Sequence, residues 1–390
     1  MLLETVNLTK VLKVCMLESL RIAIVLNSTW NIYNFRLGLV RALLATGHQV
    51  FAIAPNDGFI DKVLATGCQY IPLRNLSRKG TNPIQDFKLV WELRRIYKRE
   101  QIDVALHYTI KPNIYGSFAC VGLKTHSIAT VTGLGSSFLK KGPTRRIVNL
   151  LYSGAFKRAR VVAFQNKEDK QLFEDMGLVS QQKTQQIRGS GIKTDYFRPL
   201  PKTKESSNFI FLFVGRLLYD KGVTEYLEAA KLCKTKYPNT EFWLVGKIDR
   251  DNPSAVDSKT IQKYHREGVI NYMGVSHDVC SIMRNADCVV LPSYREGLPR
   301  VILEGLAMAK PIITTDAAGC RETIRDGHNG FMVPVKNVEA LTQAMQKMHA
   351  LSPKERQKMG KHGREMALAE FDEPIIIQRY LDIIRRLTNA

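Results

Sequence analysis

Residues 287–334 read DCVVLPSYREGLPRVILEGLAMAKPIITTDAAGCRETIRDGHNGFMVP, and the fold of the chain turns on this stretch. It opens with an apolar, β-branched run of strand length, 287–291, that breaks at Pro292 and Ser293. A polar loop with Glu296 and Gly297 follows. A helix is expected from about Pro299, a residue tolerated in a first turn, to about Ala309. Glu296 and Glu304 stand eight residues apart, slightly more than two helical turns, so an extended polar ligand lying along the front of the helix meets both carboxylates. A second strand, 311–315, leads into the loop 318–322 and is expected to feed a second helix start. Strand, glycine loop and helix N-terminus together offer free N–H groups and a positive dipole end to an anion, and two such units facing one cleft suit a diphosphate. Spacing alone leaves the ordinary alternative, a pair of solvated glutamates, in place.

Working back from this stretch, 208–214 is an apolar strand run that ends in Gly215-Arg216-Leu217-Leu218-Tyr219-Asp220-Lys221-Gly222, with a helix expected over 223–236 and a strand over 241–245. A guanidinium and an ammonium after one strand supply a fork and a point charge for phosphate oxygens. Asp249 and Asp251 form a DxD that could hold a divalent ion; it sits in a loop beside Pro253 and is set aside. Working forward, helices are expected at 338–350, 353–369 and 374–387, the last crossing back onto the first half.

Taken together, the two glutamates with EGLP at the first, the GRLxxDKG string and the NGF element resemble the signature of the family 4 retaining glycosyltransferases. Ala309 stands where that family usually has Gly. The resemblance covers nearly the whole chain from about Leu20. It implies the GT-B fold: α/β, two Rossmann-like doubly wound domains facing a central cleft. Within the family the chain is most similar to bacterial transferases that add N-acetylgalactosamine or another hexose to undecaprenyl-diphosphate-linked sugars. The roles it implies are a pyrophosphate clamp from Gly215, Arg216 and Lys221, donor-sugar contacts from Glu296, Gly297, Leu298 and Pro299, and ribose contacts from Glu304. Arg300 is where selectivity among sugars is expected. No metal and no cofactor are implied beyond the nucleotide-sugar co-substrate, and no enzymatic nucleophile is assigned.

The first half alternates strand and helix: 20–26, a helix over 33–46 closed by Gly47, 50–54, 61–65, 69–73, a long amphipathic helix over 82–100, and 102–106. This implies a parallel doubly wound sheet, and the absence of GxGxxG argues against a dinucleotide site. His107 and Lys111 follow a strand end, where side chains project into the crevice of such sheets. TIKPNIYG at 109–116 resembles a subgroup of the family that builds bacterial surface glycans, which implies that Lys111 and Asn113 line the site. Gly133 and Gly135, after a strand at 127–131, let the backbone approach a ligand closely. These five residues are the expected acceptor side. Lys140, Lys141, Arg145, Arg146, Lys157, Arg158 and Arg160 flank an apolar stripe of Ile147, Leu150, Leu151 and Phe156. That pattern reads either as membrane-surface contact or as a helix packed on the sheet with a solvated basic face.

The 390 residues exceed one comfortable core. The expected division is an extension over 1–19, a first domain over 20–200, a second over 201–372 and a returning helix over 373–390. The net charge of +21 is concentrated in residues 1–200, which hold 29 Lys and Arg against 13 Asp and Glu. An anionic partner is therefore expected, lipid headgroups or nucleic acid on charge alone. With the resemblance, the expected partners are a nucleotide sugar, a lipid-diphosphate-linked saccharide and an anionic membrane surface, with no nucleic acid. Seven cysteines without a CxxC pair argue against a disulfide framework or a zinc site. No run of about 18 apolar residues exists, and 11–26 is broken by Lys13, Glu18 and Arg21. The expectation is a cytoplasmic protein, peripheral on the inner membrane's cytoplasmic face. A sugar-nucleotide epimerase of the same fold and a basic nucleic-acid-binding protein are the alternatives.

Overall fold

The computed structural model describes residues 19–77, 82–134, 143–203, 208–249, 252 and 254–388. The expected extension lies almost entirely outside them. The first domain runs β1 (Arg21–Val25), α1 (Thr29–Phe35), α2 (Leu37–Ala45), β2 (Gln49–Ala54), α3 (Ile60–Leu64), β3 (Gln69–Pro72), α4 (Pro83–Arg99), β4 (Val104–Tyr108), β5 (His126–Val131), α5 (Pro143–Arg158), β6 (Val161–Phe164), α6 (Lys167–Asp175) and β7 (Thr184–Gln186). The second runs β8 (Ile210–Val214), α7 (Val223–Lys236), β9 (Glu241–Val245), α8 (Ser258–Arg266), β10 (Asn271–Gly274), α9 (Val279–Asn285), β11 (Cys288–Leu291), α10 (Arg300–Ala307), β12 (Ile312–Thr315), β13 (Gly330–Val333), α11 (Val338–Ala350) and α12 (Pro353–Met366), and α13 (Glu373–Thr388) ends the chain.

Among these residues the first sheet has seven strands in the order β3-β2-β1-β4-β5-β6-β7 and the second has six in the order β10-β9-β8-β11-β12-β13. Both are parallel, with Val25 level with Ile53 on one side and His107 on the other. Helices cover both faces, so β1, β4, β6 and β11 are buried nearly throughout, and their continuous apolar runs follow from that burial. The helix expected over 33–46 is two helices. Ser28 caps α1 by accepting from the Asn31 N–H, and the chain kinks at Arg36 (φ −132°, ψ 0°) before α2. The helix expected after β12 is only a three-residue 3₁₀ turn, Arg321–Thr323, so that loop lacks the second helix dipole.

The domains are joined by two strands of chain lying side by side. Ile192 N–H donates to the Phe371 carbonyl and Glu373 N–H to the Ile192 carbonyl, both at 2.9 Å. Ile192 and Phe197 already pack into the second core, so the crossing lies at residues 187–191, ahead of the expected boundary at 200. On the return, α13 buries Ile376, Tyr380, Ile383 and Ile384 in the first domain's core, against β1 and β4. Each such side chain contributes about 1.5–3 kcal/mol relative to exposure. The last helix therefore pins the second domain to the first.

Candidate functional site

The second domain presents two loops stitched edge to edge. After β8, Gly215 and Arg216 lead into the turn Tyr219–Lys221, which ends at Gly222 with φ +71°. A Cβ on Gly222 would collide with the Pro292 carbonyl oxygen, so only glycine lets this turn sit on the loop after β11. Tyr294 N–H and the Ser293 hydroxyl both donate to the Asp220 carbonyl, at 2.9 and 3.1 Å. This registry brings the half-buried Lys221 ammonium against the Glu296 carboxylate. Arg216 lies further out, 59% exposed and 3.9 Å from Asp249. Glu296 N–H is held by the Ala318 carbonyl, 2.9 Å away. Pro299 then stands at the N-cap of α10 with no side-chain cap bond, and Arg300 Nε, at the first helical position, donates to Oε1 of Glu304 one turn on, at 3.0 Å. Burial pushes the Glu304 carboxyl above the usual carboxylate range, and the Arg300 guanidinium draws it part of the way back.

The first domain closes on these loops. Asn166, which caps α6, donates from Nδ2 to the Gly297 carbonyl at 2.7 Å. A Cβ on Gly297 would strike the Thr132 carbonyl, and Gly133 (φ +131°) lies against the same segment. Arg295 pairs with the buried Asp169 and Arg321 with Glu168. Glu322 accepts from the Lys167 N–H at 2.8 Å and from Gln186 Nε2 at 3.1 Å, with Arg188 3.6 Å away. Arg300 Nη1 reaches across to the Asn34 carbonyl at 2.6 Å and lies over the Phe35 ring. A cavity of about 270 Å³ remains between the domains, walled on one side by Leu26, Asn31, Arg36, Tyr108 and Thr109 and on the other by Glu296, Leu298, Pro299 and Arg300.

None of the four expected acceptor-side residues that the structure describes lines this cavity; Gly133 comes nearest, against Gly297. His107 is wholly buried: its ring nitrogens meet Tyr97 Oη at 2.8 Å and Ser127 Oγ at 3.0 Å, and burial pushes the imidazole down to about 3. It is a neutral core histidine. The cause is strand parity: His107 shares the α4 face of β4 with Ala105, while Tyr108 faces the other way, towards α13. Asn113 is also buried, with Nδ2 donating to the Thr130 carbonyl at 2.8 Å and Oδ1 accepting from the Thr130 N–H at 3.1 Å. It ties the turn after β4 to the backbone near the C-terminal end of β5. Lys111 is tied to Asp86 on α4 at 2.8 Å, where Tyr115 also donates to that carboxylate. Gly135 lies outside the described residues, as does Asp251.

The residues that sequence reading missed are Arg36, Tyr108 and Thr109. Thr109 carried a signal, being the first residue past β4, but Arg36 sits at a kink that helical periodicity does not reveal. On α5 the expected stripe is split: Phe156 packs inward with Val148 and Tyr152, while Ile147 and Leu150 point outward, 59% and 75% exposed. Among the described residues no helix is long and apolar enough to cross a membrane, and no three His, Cys, Asp or Glu side chains cluster as a metal site.

Two family profiles match the chain, one to each half: a glycosyl transferase 4-like family over residues 21–166 and glycosyl transferases group 1 over residues 198–366. The chain is 30% identical to N,N'-diacetylbacillosaminyl-diphospho-undecaprenol alpha-1,3-N-acetylgalactosaminyltransferase of Campylobacter jejuni, over 94% of this chain and 99% of that one. It is 24% identical to UDP-Gal:alpha-D-GlcNAc-diphosphoundecaprenol alpha-1,3-galactosyltransferase of Escherichia coli, over 67% of this chain and 70% of that one. In fold it matches the crystal structure of a glycosyltransferase from Rickettsia africae with a TM-score of 0.78 at 20% identity, over 95% of this chain and 99% of that one. The two facing parallel-sheet domains are thus the GT-B arrangement, and the relatives favour transfer over epimerisation or nucleic-acid binding.

Proposed function

The chain belongs to the group 1 glycosyl transferases, and from that premise we propose that it moves an N-acetylhexosamine or hexose from a UDP-sugar to a saccharide carried on a lipid diphosphate. The observation that carries this reading is the interdomain cavity that one segment lines with Glu296, Leu298, Pro299 and Arg300, while Lys221 and Glu304 pair with Glu296 and Arg300 from behind that wall. Lys221 and Arg216 neutralise the departing diphosphate, Glu296 and the Gly297–Pro299 backbone hold the donor sugar, and Glu304 accepts from the ribose hydroxyls. Charge that develops at the leaving oxygens is met by the two cations. The bond from the anomeric carbon to the phosphate oxygen breaks, and the acceptor oxygen bonds to that carbon on the same face. The acceptor's proton passes to the departing phosphate, so no protein nucleophile is required. The two ammonium and guanidinium groups make a divalent metal unnecessary.

The acceptor reaches the cleft from a membrane surface. Ile84, Phe87 and Trp91 form an exposed apolar row along α4, among the exposed Lys88, Arg95, Lys98 and Arg99. Helix α5 adds Ile147 and Leu150 with Arg146, and both helices pack on the turn at residues 112–119, on one face of the sheet. Apolar side chains among cations suit the headgroup layer of an anionic bilayer.

The test is incubation with UDP-, GDP- and dTDP-sugars and a short-chain polyprenyl-diphosphate-linked saccharide, with and without EDTA. The expected result is a disaccharide product with retained anomeric configuration, from a UDP-sugar, undiminished by EDTA. No product from any donor would overturn the substrate assignment, and loss of product in EDTA would overturn metal independence. Salt-reversible sedimentation with phosphatidylglycerol vesicles, weakened in Trp91→Ser, tests the membrane face.

A further inference from the structure

The cation at the kink between α1 and α2 is not explained by the fold. Arg36 is 4% exposed, yet its guanidinium makes no ion pair and its Nε has no hydrogen-bond partner among the described residues. It lies over the Tyr108 ring at 4.0 Å and within 5.8 Å of the Tyr380 ring. A ring face returns less than the hydration a guanidinium gives up on burial. Thr109, in the same cavity wall, has φ +67°, a left-handed backbone that a β-branched residue rarely adopts, and its buried Oγ1 is likewise without a partner. The other charged groups of the cavity wall are matched: Glu296 by Lys221 and Arg300 by Glu304. That leaves one positive charge and three buried polar atoms without a partner among the described residues, Arg36 Nε, Tyr108 Oη and Thr109 Oγ1, in residues that line the space between the domains.

We propose that Arg36 and the Thr109 hydroxyl bind the oxygens of a diphosphate group from the first-domain side of the cleft. This rests on the transferase reading for the diphosphate's origin. Both substrates of that reaction carry the same chemistry, the donor in its nucleotide diphosphate and the acceptor in its lipid diphosphate. The guanidinium, which lies over the Tyr108 ring, offers its N–H donors to one phosphate group, and the Thr109 hydroxyl adds another.

The experiment measures binding of inorganic pyrophosphate and of UDP by calorimetry, and KM for the polyprenyl-diphosphate acceptor. It compares the wild type with Arg36→Met, which keeps an apolar stem over Tyr108, with Arg36→Lys and with Thr109→Val. The expected result is a loss of at least tenfold in pyrophosphate affinity in Arg36→Met at unchanged melting temperature, partial recovery in Arg36→Lys and a several-fold loss in Thr109→Val. A parallel fall in UDP affinity assigns the donor diphosphate, and a rise in acceptor KM with UDP binding intact assigns the acceptor. Unaltered binding and KM in a folded Arg36→Met overturn the proposal. So does a loss that follows a lowered melting temperature and is absent from Thr109→Val. Should Arg36→Met not fold, unaltered binding in Thr109→Val has the same force. Arg36-dependent pyrophosphate binding in a protein that turns over no nucleotide sugar would remove the transferase substrates and leave the anion site standing.

Discussion

The Lys221 ammonium and the Glu296 carboxylate touch across two loops that follow different strands, β8 and β11. Each is the other's counter-ion, and under the proposed clamp role a diphosphate competes for the lysine. On that reading, Lys221→Ala removes a cation from the leaving group and leaves Glu296 uncompensated. Turnover is expected to fall by about 100-fold or more, as on removal of one oxyanion donor. Steady-state kinetics with the preferred UDP-sugar, beside a melting curve showing the fold intact, check this.

Glu304 is held on α10 by Arg300 in a setting that disfavours its charge. Hydrogen bonds to a charged group contribute about 1.5–3 kcal/mol. Glu304→Ala is expected to weaken UDP binding by about 10-fold or more, measured by calorimetry, with a smaller change in turnover at saturating donor.

Arg295 is the partner of an Asp169 carboxylate that is 1% exposed. Burial pushes Asp169 up and Arg295 draws it back. Arg295→Met leaves that carboxylate with only Asn166, whose Nδ2 is 3.0 Å away. Breaking such a buried pair costs about 3 kcal/mol. Urea denaturation at neutral pH should show that loss in Arg295→Met and a smaller one in the double variant with Asp169→Asn.

His107 gives a pH signature. Its folded value of about 3 lies below the 6.5 of an unfolded histidine, so between these limits the unfolded chain binds the extra proton. The stability from keeping it neutral is fully present above about pH 6.5 and is lost as pH falls, at about 1.4 kcal/mol per unit. His107→Gln is expected to flatten this part of the stability curve between pH 7 and pH 5, as followed by denaturant midpoints.

Ala309 has φ +54° at the end of α10, in the left-handed region. Glycine adopts this without the Cβ penalty of about 1–2 kcal/mol, although its unfolded chain has more freedom to lose. Ala309→Gly is expected to raise stability by about 0.5–1 kcal/mol, with kinetics unchanged.

Periodicity and punctuation in the chain were enough to place most elements, because local backbone preference and a continuous apolar run are local properties. α7 and β9 fall where the sequence puts them. The EGLP and GRLxxDKG strings led to the second-domain loops for the same reason: each motif is contiguous. What the tertiary structure decided was which way side chains face and what they meet. A one-residue step in β4 turns His107 into the core and leaves Tyr108 and Thr109 to the cavity. Asn34, 266 residues from Arg300, becomes its partner. Arg36 became legible as a candidate only once the fold had buried it without a counter-ion among the described residues. Burial and pairing depend on segments distant in sequence, whose approach no local pattern encodes.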